Sequence, residues 1–167
     1  MIIRNTLNYN RIDAINYAKK YALNPNPNYE YFKVTNNIGG DCTNFISQCL
    51  HAGGGKMVYN RKNPWWYQNR TCSSSWSVAH ELYWLLKTNK TNNSEGPKGF
   101  EVNTLESLEL GDLIFYGNKN NIILHSSIIT DFLNNLPLIS QHTAEGLSIS
   151  YLKPWKVYTY HLIKISI

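Results

Sequence analysis

Residues 39–50 read GGDCTNFISQCL, a glycine turn that runs into an amphipathic segment. Apolar residues recur in it at helical spacing, which predicts a helix that begins at Cys42. Asp41 stands at the expected N-cap position, where a carboxylate can accept first-turn N–H groups. The glycines that follow Ala52 end the pattern. The stretch therefore predicts a cysteine at the N-terminus of a helix.

A thiol at that position lies at the positive end of the helix dipole, close to N–H groups that have no intrahelical partner. Both features favour the thiolate, and the same N–H groups can hold a developing oxyanion. Two interpretations of Cys42 stay open at this point. It is either a reactive nucleophile or a small buried apolar residue, which is how free cysteines commonly occur. Cys49, one heptad later, fits the core.

Composition indicates a folded globule. The chain has 167 residues, of which 43% are hydrophobic and 13% aromatic. This composition suits one domain over residues 1–167, with a core large enough to be stable without disulfide bonds or a structural metal. Three cysteines, with no CxxC pair and no histidine cluster, predict neither a disulfide scaffold nor a metal site, and no cofactor is indicated.

The charge and the first residues set further expectations. The formal charge is +5, but the cations are scattered, so no nucleic-acid partner is expected. The first five residues contain no apolar run long enough for a signal peptide or a membrane span. We therefore expect synthesis as a cytosolic protein, or a module cut from a longer chain. Action on the cell wall would then follow lysis or release by another route, and the oligomeric state is left open.

The periodicity changes from helical to alternating along the chain. Apolar spacing predicts helices over 10–22, 42–52 and 75–88, with an irregular stretch over 59–74 and a polar loop over 89–99. Alternation then predicts strands over 112–116, 125–130, 137–142 and 156–165. Helices followed by strands predict an α+β fold in which N-terminal helices pack on an antiparallel sheet.

A cysteine nucleophile needs a base, and the base needs a residue that orients it. His125 is the best candidate base because it begins a strand with a polar pair on an otherwise apolar face. If Asn134 and Asn135 form a two-residue hairpin turn, Ser127 pairs with His142, and His142 shares a face with His125. A slip of one residue would present Gln141 instead, because side chains alternate along a strand.

Several of these motifs together resemble a known family. They are the segment from Gly40 to Leu50, Trp65-Trp66-Tyr67, Gly111 to Tyr116, His125-Ser126, and Ser140-Gln141-His142-Thr143. They look like the putative amidase domain of Gram-positive bacteria, a relative of the NlpC and CHAP cell-wall hydrolases. The resemblance runs almost end to end and implies a papain-like fold. Relatives often carry Asp directly before the histidine, whereas this chain has Leu124, so that acid has no counterpart here.

The resemblance also implies roles for individual residues. NlpC relatives have a tyrosine about a dozen residues before the cysteine that lines the oxyanion site, which points to Tyr31. They place a polar residue, often histidine, on the strand after the base, which agrees with His142. Aromatic residues near the cysteine could form a groove wall for substrate or belong to the core. The three candidates for such a wall are Trp65, Trp66 and Trp76.

The resulting hypothesis is a cysteine amidase or peptidase that acts on a peptidoglycan peptide or another amide. Cys42 attacks the carbonyl, His125 transfers the proton, and His142 orients His125, with Asp41, Tyr31 and Gln141 in support. Two alternatives use the same scaffold. One is a catalytically silent wall-binding or structural module. The other is an acyltransferase that passes the acyl group to an amine or alcohol.

Overall fold

The structure is a computed structural model that describes residues 9–36 and 38–167. Its helices are α1 (Arg11–Tyr21), α2 (Cys42–Ala52), α3 (Ser74–Ser77) and α4 (Ala79–Asn92). Its strands are β1 (Tyr67–Gln68), β2 (Thr71–Cys72), β3 (Lys98–Val102), β4 (Leu113–Gly117), β5 (Ile123–Leu133), β6 (Leu136–Gln141), β7 (Gly146–Ser150) and β8 (Thr159–Ser166). A 3₁₀ turn, Leu105–Ser107, precedes β4.

Six strands form one antiparallel sheet in the order β3-β8-β4-β5-β6-β7. Strands β1 and β2 form a separate two-stranded ribbon. Helices α1, α2 and α4 contact strands of the large sheet. The predicted α+β class, with helices packed on an antiparallel sheet, is therefore confirmed.

The helix boundaries agree with the sequence pattern at two of three places. The first begins after Asn10, whose side chain accepts the backbone N–H of Asp13 at 3.2 Å, and the second begins at Cys42. The segment predicted as one helix over 75–88 is instead α3 followed by α4, because Val78 is extended (φ −110°, ψ 122°). Among the described residues, no helix is both long enough and apolar enough to cross a membrane.

Strands β3 and β7 were not predicted from the sequence. The first lies partly within the expected polar loop and pairs with β8 at the edge of the sheet. The second pairs only with β6 at the opposite edge. An edge strand has one neighbour and exposes much of its surface, so its sequence lacks the strong apolar signal of a central strand.

The core lies on both faces of the sheet. The helix-facing side contains Phe115, Ile128 and Ile163 from the strands, packed against apolar residues of α1, α2 and α4. The other face contains a smaller cluster around Ile114, Ile129 and Leu162. Central strands covered on both faces explain why β4 is buried throughout.

Helix α2 is buried from Cys42 to Leu50, including its polar side chains. Trp76 donates its indole N–H to the Asn44 side-chain oxygen at 2.8 Å, and Trp65 donates to the Ser47 hydroxyl at 3.1 Å. The Ser47 hydroxyl in turn donates to the Trp76 carbonyl at 2.8 Å. Buried polar groups must be paired, so these two tryptophans complete the packing of α2.

Asp112 joins the first helix to the last strand. This fully buried carboxylate accepts the Arg11 guanidinium at 2.7 Å and the backbone N–H of Ile165 at 3.0 Å through one oxygen. Its other oxygen accepts the N–H of Glu109 at 2.8 Å. Arg11 also approaches the exposed Glu109 carboxylate at 3.4 Å.

We expect Asp112→Ala to lower the free energy of unfolding by about 3 kcal/mol, because it leaves buried donors without an acceptor. Glu109→Ala is the matched control: its carboxylate is exposed, so its loss costs less than about 1 kcal/mol. Urea unfolding at pH 7 measures both. Equal losses in the two variants would contradict the structural role assigned to Asp112.

Candidate active site

The turn before α2 fixes where the helix begins. Gly39 and Gly40 both have positive φ, 87° and 127°, a conformation that suits glycine. A Cβ on Gly40 would lie 2.8 Å from the Thr143 hydroxyl oxygen. That hydroxyl accepts the backbone N–H of Asp41 at 2.7 Å. The two glycines thus allow the β6–β7 turn to approach the helix, and Cys42 becomes its first residue.

Cys42 and His125 are brought together at this point. Cys42 is 8% exposed, its sulfur lies 3.5 Å from the Thr43 hydroxyl oxygen, and the His125 imidazole is near enough to lower the pKa of the thiol. Burial alone would raise the thiol pKa, but the charge and hydrogen bond of His125, with smaller contributions from Thr43 and the Ser126 backbone, outweigh it. The net effect lowers the pKa of Cys42 to about 7. About half of the sulfur is therefore thiolate at neutral pH.

The other ring nitrogen of His125 contacts Gln141. His125 Nε2 lies 2.8 Å from Gln141 Oε1, while Gln141 Nε2 donates to the Ala144 carbonyl at 2.8 Å. The second bond orients the amide, so Oε1 faces the histidine. Because Oε1 can only accept, His125 carries a hydrogen on Nε2. This leaves Nδ1 to accept the thiol proton.

A β-bulge explains why Gln141 rather than His142 contacts His125. The hairpin begins in the predicted register, with Leu133 opposite Leu136, but the pairing shifts between Ile129 and Asp131. Ile128 then pairs with Ser140, one position from the register expected for a regular hairpin. A bulge adds one residue to one strand and turns later side chains to the other face. The predicted pairing of Ser127 with His142 is wrong, and the Gln141 alternative describes the structure.

His142 has a different set of partners. Its Nδ1 lies 2.5 Å from the Asp41 carboxylate and its Nε2 lies 2.8 Å from the Tyr21 carbonyl. The ring also stacks on Phe45, with centroids 4.1 Å apart. Both nitrogens are occupied, so His142 does not orient His125. It instead ties the start of α2 to the end of α1.

Asp41 occupies the N-cap position without capping the helix through its side chain. One carboxylate oxygen accepts the backbone N–H of Phe32 at 2.9 Å and the Asn44 amide at 2.8 Å, while the other contacts His142. Asp41 is 1% exposed. Asp41 therefore fixes the chain directly before Cys42 through these contacts and not as a helix cap.

The predicted oxyanion role of Tyr31 has no support in its contacts. The Tyr31 hydroxyl donates to the Glu145 carboxylate in the β6–β7 turn. Its ring lies 5.7 Å from the His142 ring. Tyr31 thus covers the Asp41–His142 pair, and its hydroxyl is directed to Glu145.

The predicted substrate-binding tryptophans divide into two groups. Trp65 and Trp76 are fully buried and hydrogen-bonded to α2, so they belong to the core and not to a groove wall. Trp66 is half-buried and stacks on Tyr59, with ring centroids 5.9 Å apart. Its contacts lie with the 59–74 segment, and none of them is with Cys42 or His125.

Two side chains beside His125 belong to a stretch without recognisable periodicity, residues 151–158. The Trp155 ring packs edge-on against His125 with centroids 5.7 Å apart. The Lys153 ammonium donates to Gln141 Oε1, the oxygen that also contacts His125. Because neither residue belongs to a motif or a predicted element, sequence reasoning missed both.

A cavity of about 380 Å³ borders the glycine turn. Gly40 lies two residues before Cys42, so the two Cα atoms are within about 7.6 Å of one another. Cations and apolar side chains line the cavity, among them Phe32, Lys33, Gly40, Arg70, Cys72 and Val78. Arg70 pairs with Glu30 at 2.6 Å.

Within the described part of the chain, no group of three or more potential metal ligands converges.

Comparison with known proteins identifies the family. A family model described as "Putative amidase domain" matches residues 8–166. The chain belongs to this family. Both Cys42 and His125 lie within the matched range.

Two proteins of Bacillus subtilis (strain 168) are similar to this amidase-family chain. It is 35% identical over 145 residues to the uncharacterized protein YhbB, covering 83% of this chain and 42% of that protein. It is 31% identical over 151 residues to the uncharacterized protein YjcM, covering 84% of this chain and 32% of that protein. The chain thus spans less than half the length of these relatives. No solved structure matches it.

The Cys42–His125 contact predicts a specific pH dependence of alkylation. Iodoacetamide labelling of Cys42 should increase as pH rises through about 7, because the thiolate is the reacting form. In His125→Ala the thiol pKa should return to 8.5 or above, which lowers the rate at pH 7 by about tenfold or more. Mass spectrometry locates the label. His51→Ala, which removes an exposed histidine, is the control, and a profile identical to wild type in His125→Ala would refute the contact.

Gln141, the last residue of β6, and His142, which follows it, should respond differently to truncation. His142→Ala leaves the buried Asp41 carboxylate without one of its hydrogen-bond donors, and we expect a loss of about 3 kcal/mol in urea unfolding. Gln141→Ala removes one buried hydrogen-bonding side chain, with an expected loss near 1 kcal/mol. The alkylation profile of Cys42 should change in Gln141→Ala because His125 loses its orienting acceptor. A larger stability loss in Gln141→Ala than in His142→Ala would contradict this assignment.

Proposed function

We propose that this protein is a cysteine amidase that hydrolyses an amide bond in the peptide part of peptidoglycan. The observation that carries the proposal is the chain of contacts from the Cys42 thiol through His125 to Gln141. It supports a nucleophile, a base and an orienting residue arranged at the N-terminus of a buried helix. Family membership supports amide hydrolysis.

The first half of the reaction forms a thioester. His125 Nδ1 takes the Cys42 proton, and the thiolate attacks the carbonyl carbon of the substrate. The backbone N–H of Cys42, unpaired within the helix by its first-turn position, is a donor for the oxyanion. As the C–N bond breaks, His125 gives its proton to the leaving amine. The acyl group then remains on the Cys42 sulfur.

The second half releases the acid product. Water loses a proton to His125 Nδ1 and attacks the thioester carbonyl, and the C–S bond breaks to give a carboxylic acid and free Cys42. The imidazole is positively charged after it has taken a proton from Cys42 or from water, and it is neutral again after it has given that proton to the leaving group. Gln141 Oε1 accepts from Nε2 throughout, which keeps the ring oriented.

The fold relationship to papain-like hydrolases is part of the proposal. A cysteine on a helix N-terminus and a histidine on an adjacent antiparallel strand support that architecture, as in the NlpC and CHAP hydrolases the sequence resembles. Gln141 fills the place where many NlpC relatives carry histidine. This substitution keeps the acceptor and leaves out a second titrating group next to the base.

The cavity beside Gly40 supports a peptide substrate that carries carboxylates. Its rim holds Lys33 and Arg70, while Phe32 and Val78 supply apolar surface. Gly40 in the cavity wall is separated from Cys42 by one residue, so a peptide bound there would lie near the proposed nucleophile. Wall peptides with acidic residues fit this combination of charge and apolar contact.

Purified peptidoglycan and soluble muropeptides test the proposal. Wild type should release new amino and carboxyl termini, seen by mass spectrometry, and Cys42→Ala should lose at least about a thousandfold in rate. Cys49→Ala, a core cysteine with no contact to His125, should retain the activity. Folding of each variant is checked by circular dichroism.

Two results would overturn the proposal. Binding of peptidoglycan without new termini, in protein whose Cys42 labels normally, would favour the silent wall-binding module. Products whose mass includes an added amine, with little free acid, would favour acyl transfer.

A further inference from the structure

We propose that Lys153 is a positioning residue of the active site, which fixes the Gln141 amide behind His125. This inference rests on the proposed cysteine nucleophile. Lys153 belongs to the connection between β7 and β8, remote in sequence from Cys42 and His125. Its contacts, burial and charge each support the assignment.

The ammonium group of Lys153 is held in place by three contacts. It donates to Gln141 Oε1, lies 4.6 Å from the centre of the Tyr116 ring, and lies 5.6 Å from the centre of the Trp155 ring. Both rings also flank His125, with centroids 5.4 Å and 5.7 Å from the imidazole. Lys153 and His125 therefore contact the same oxygen, Gln141 Oε1, and pack against the same two aromatic rings.

Sharing Oε1 has a geometric consequence. A carbonyl oxygen has two lone pairs, so it can accept from His125 Nε2 and Lys153 Nζ together. With Gln141 Nε2 on the Ala144 carbonyl, the amide is held at both ends. A Gln141 side chain without Lys153 would have one fewer contact to restrain it, and His125 would be less firmly oriented.

The charges near Lys153 indicate a link to the thiolate. Burial lowers the pKa of Lys153 to about 8, and the nearby Cys42 partly opposes this shift. The interaction is reciprocal, so a positive Lys153 also favours the thiolate form of Cys42. Below about pH 8 the lysine is charged, and above about pH 7 the cysteine is a thiolate. Both charges therefore coexist in a window at neutral pH.

The other titratable groups around Lys153 are His125 and Tyr116. Burial raises the pKa of Tyr116, so its phenol stays neutral in this window. Among the described residues, no carboxylate forms a salt bridge with Lys153. Because Lys153 and His125 share Gln141 Oε1, the lysine charge favours the thiolate and at the same time opposes a positive charge on His125.

Neutral and charged replacements of Lys153 test this role. Lys153→Met and Lys153→Gln remove the charge, and Lys153→Arg keeps it. Lys156→Met is the matched control, because Lys156 lies over the exposed Tyr158 ring and contacts neither Gln141 nor Cys42. Circular dichroism and thermal unfolding confirm that each variant is folded. The primary measurement is the pH dependence of Cys42 alkylation by iodoacetamide, which needs no substrate.

In Lys153→Met and Lys153→Gln we expect the Cys42 titration to move upward by about one pH unit. The alkylation rate at pH 7 then falls about fivefold, since the thiolate fraction drops from about one half to about one tenth. Lys153→Arg should retain most of the wild-type profile, and Lys156→Met all of it. On muropeptides, the neutral variants should lose kcat at pH 7 with little change in KM.

The inference is overturned if folded Lys153→Met and Lys153→Gln titrate like wild type, or if their only defect is a higher KM. The second result would assign Lys153 to substrate binding. Failure of the proposed function gives a different pattern, in which His125→Ala also leaves the Cys42 titration unchanged. Absence of muropeptide cleavage alone would not alter the expected shift in alkylation.

Discussion

The buried carboxylate of Asp41 is the constraint on which the site depends. A charge without access to water must be paired, and Asp41 is satisfied only when three separate parts of the chain converge on it. These are the backbone of Phe32, the side chain of Asn44 and the ring of His142. His142 extends the network to the end of α1 through the Tyr21 carbonyl. Cys42, the next residue along the chain, is positioned by the same contacts.

Gln141 and His142 show how one strand end serves two purposes. Gln141 ends β6 and His142 follows it, and successive side chains of an extended chain face opposite sides, so one side chain contacts His125 and the other contacts Asp41. The bulge in β5 decides that the Gln141 side chain, and not the His142 side chain, faces His125. An amide also suits the position behind the base, because it accepts a hydrogen bond without adding a charge that changes with pH. The histidine is used where both of its ring nitrogens have partners.

The site is assembled from elements distant in sequence, each with a separate physical task. Helix α2 places the Cys42 sulfur at its positive end, β5 carries His125, the proposed base, and β6 supplies the Gln141 oxygen that His125 contacts. The connection before β8 adds aromatic rings and a cation. The buried tryptophans contribute indirectly, since they pair the polar side chains of α2 and allow the helix to be enclosed. Reactivity at Cys42 is therefore a property of the packed molecule, although the helix dipole acts locally.

The sequence by itself determined the α+β class, the starts of α1 and α2, the central strands, and Cys42 and His125 as the residues to bring together. Those features depend on local periodicity, helix caps and glycines, all of which are visible in short stretches of the sequence. It left Gln141 and His142 as alternatives, did not indicate that Trp65 and Trp76 are fully buried or that the Tyr31 hydroxyl bonds to Glu145, and gave no sign of the contacts of Lys153 and Trp155. Only the tertiary structure decided these points. A bulge changes register without altering the apolar pattern, and burial of an aromatic ring or partial burial of a lysine depends on what distant segments place around it.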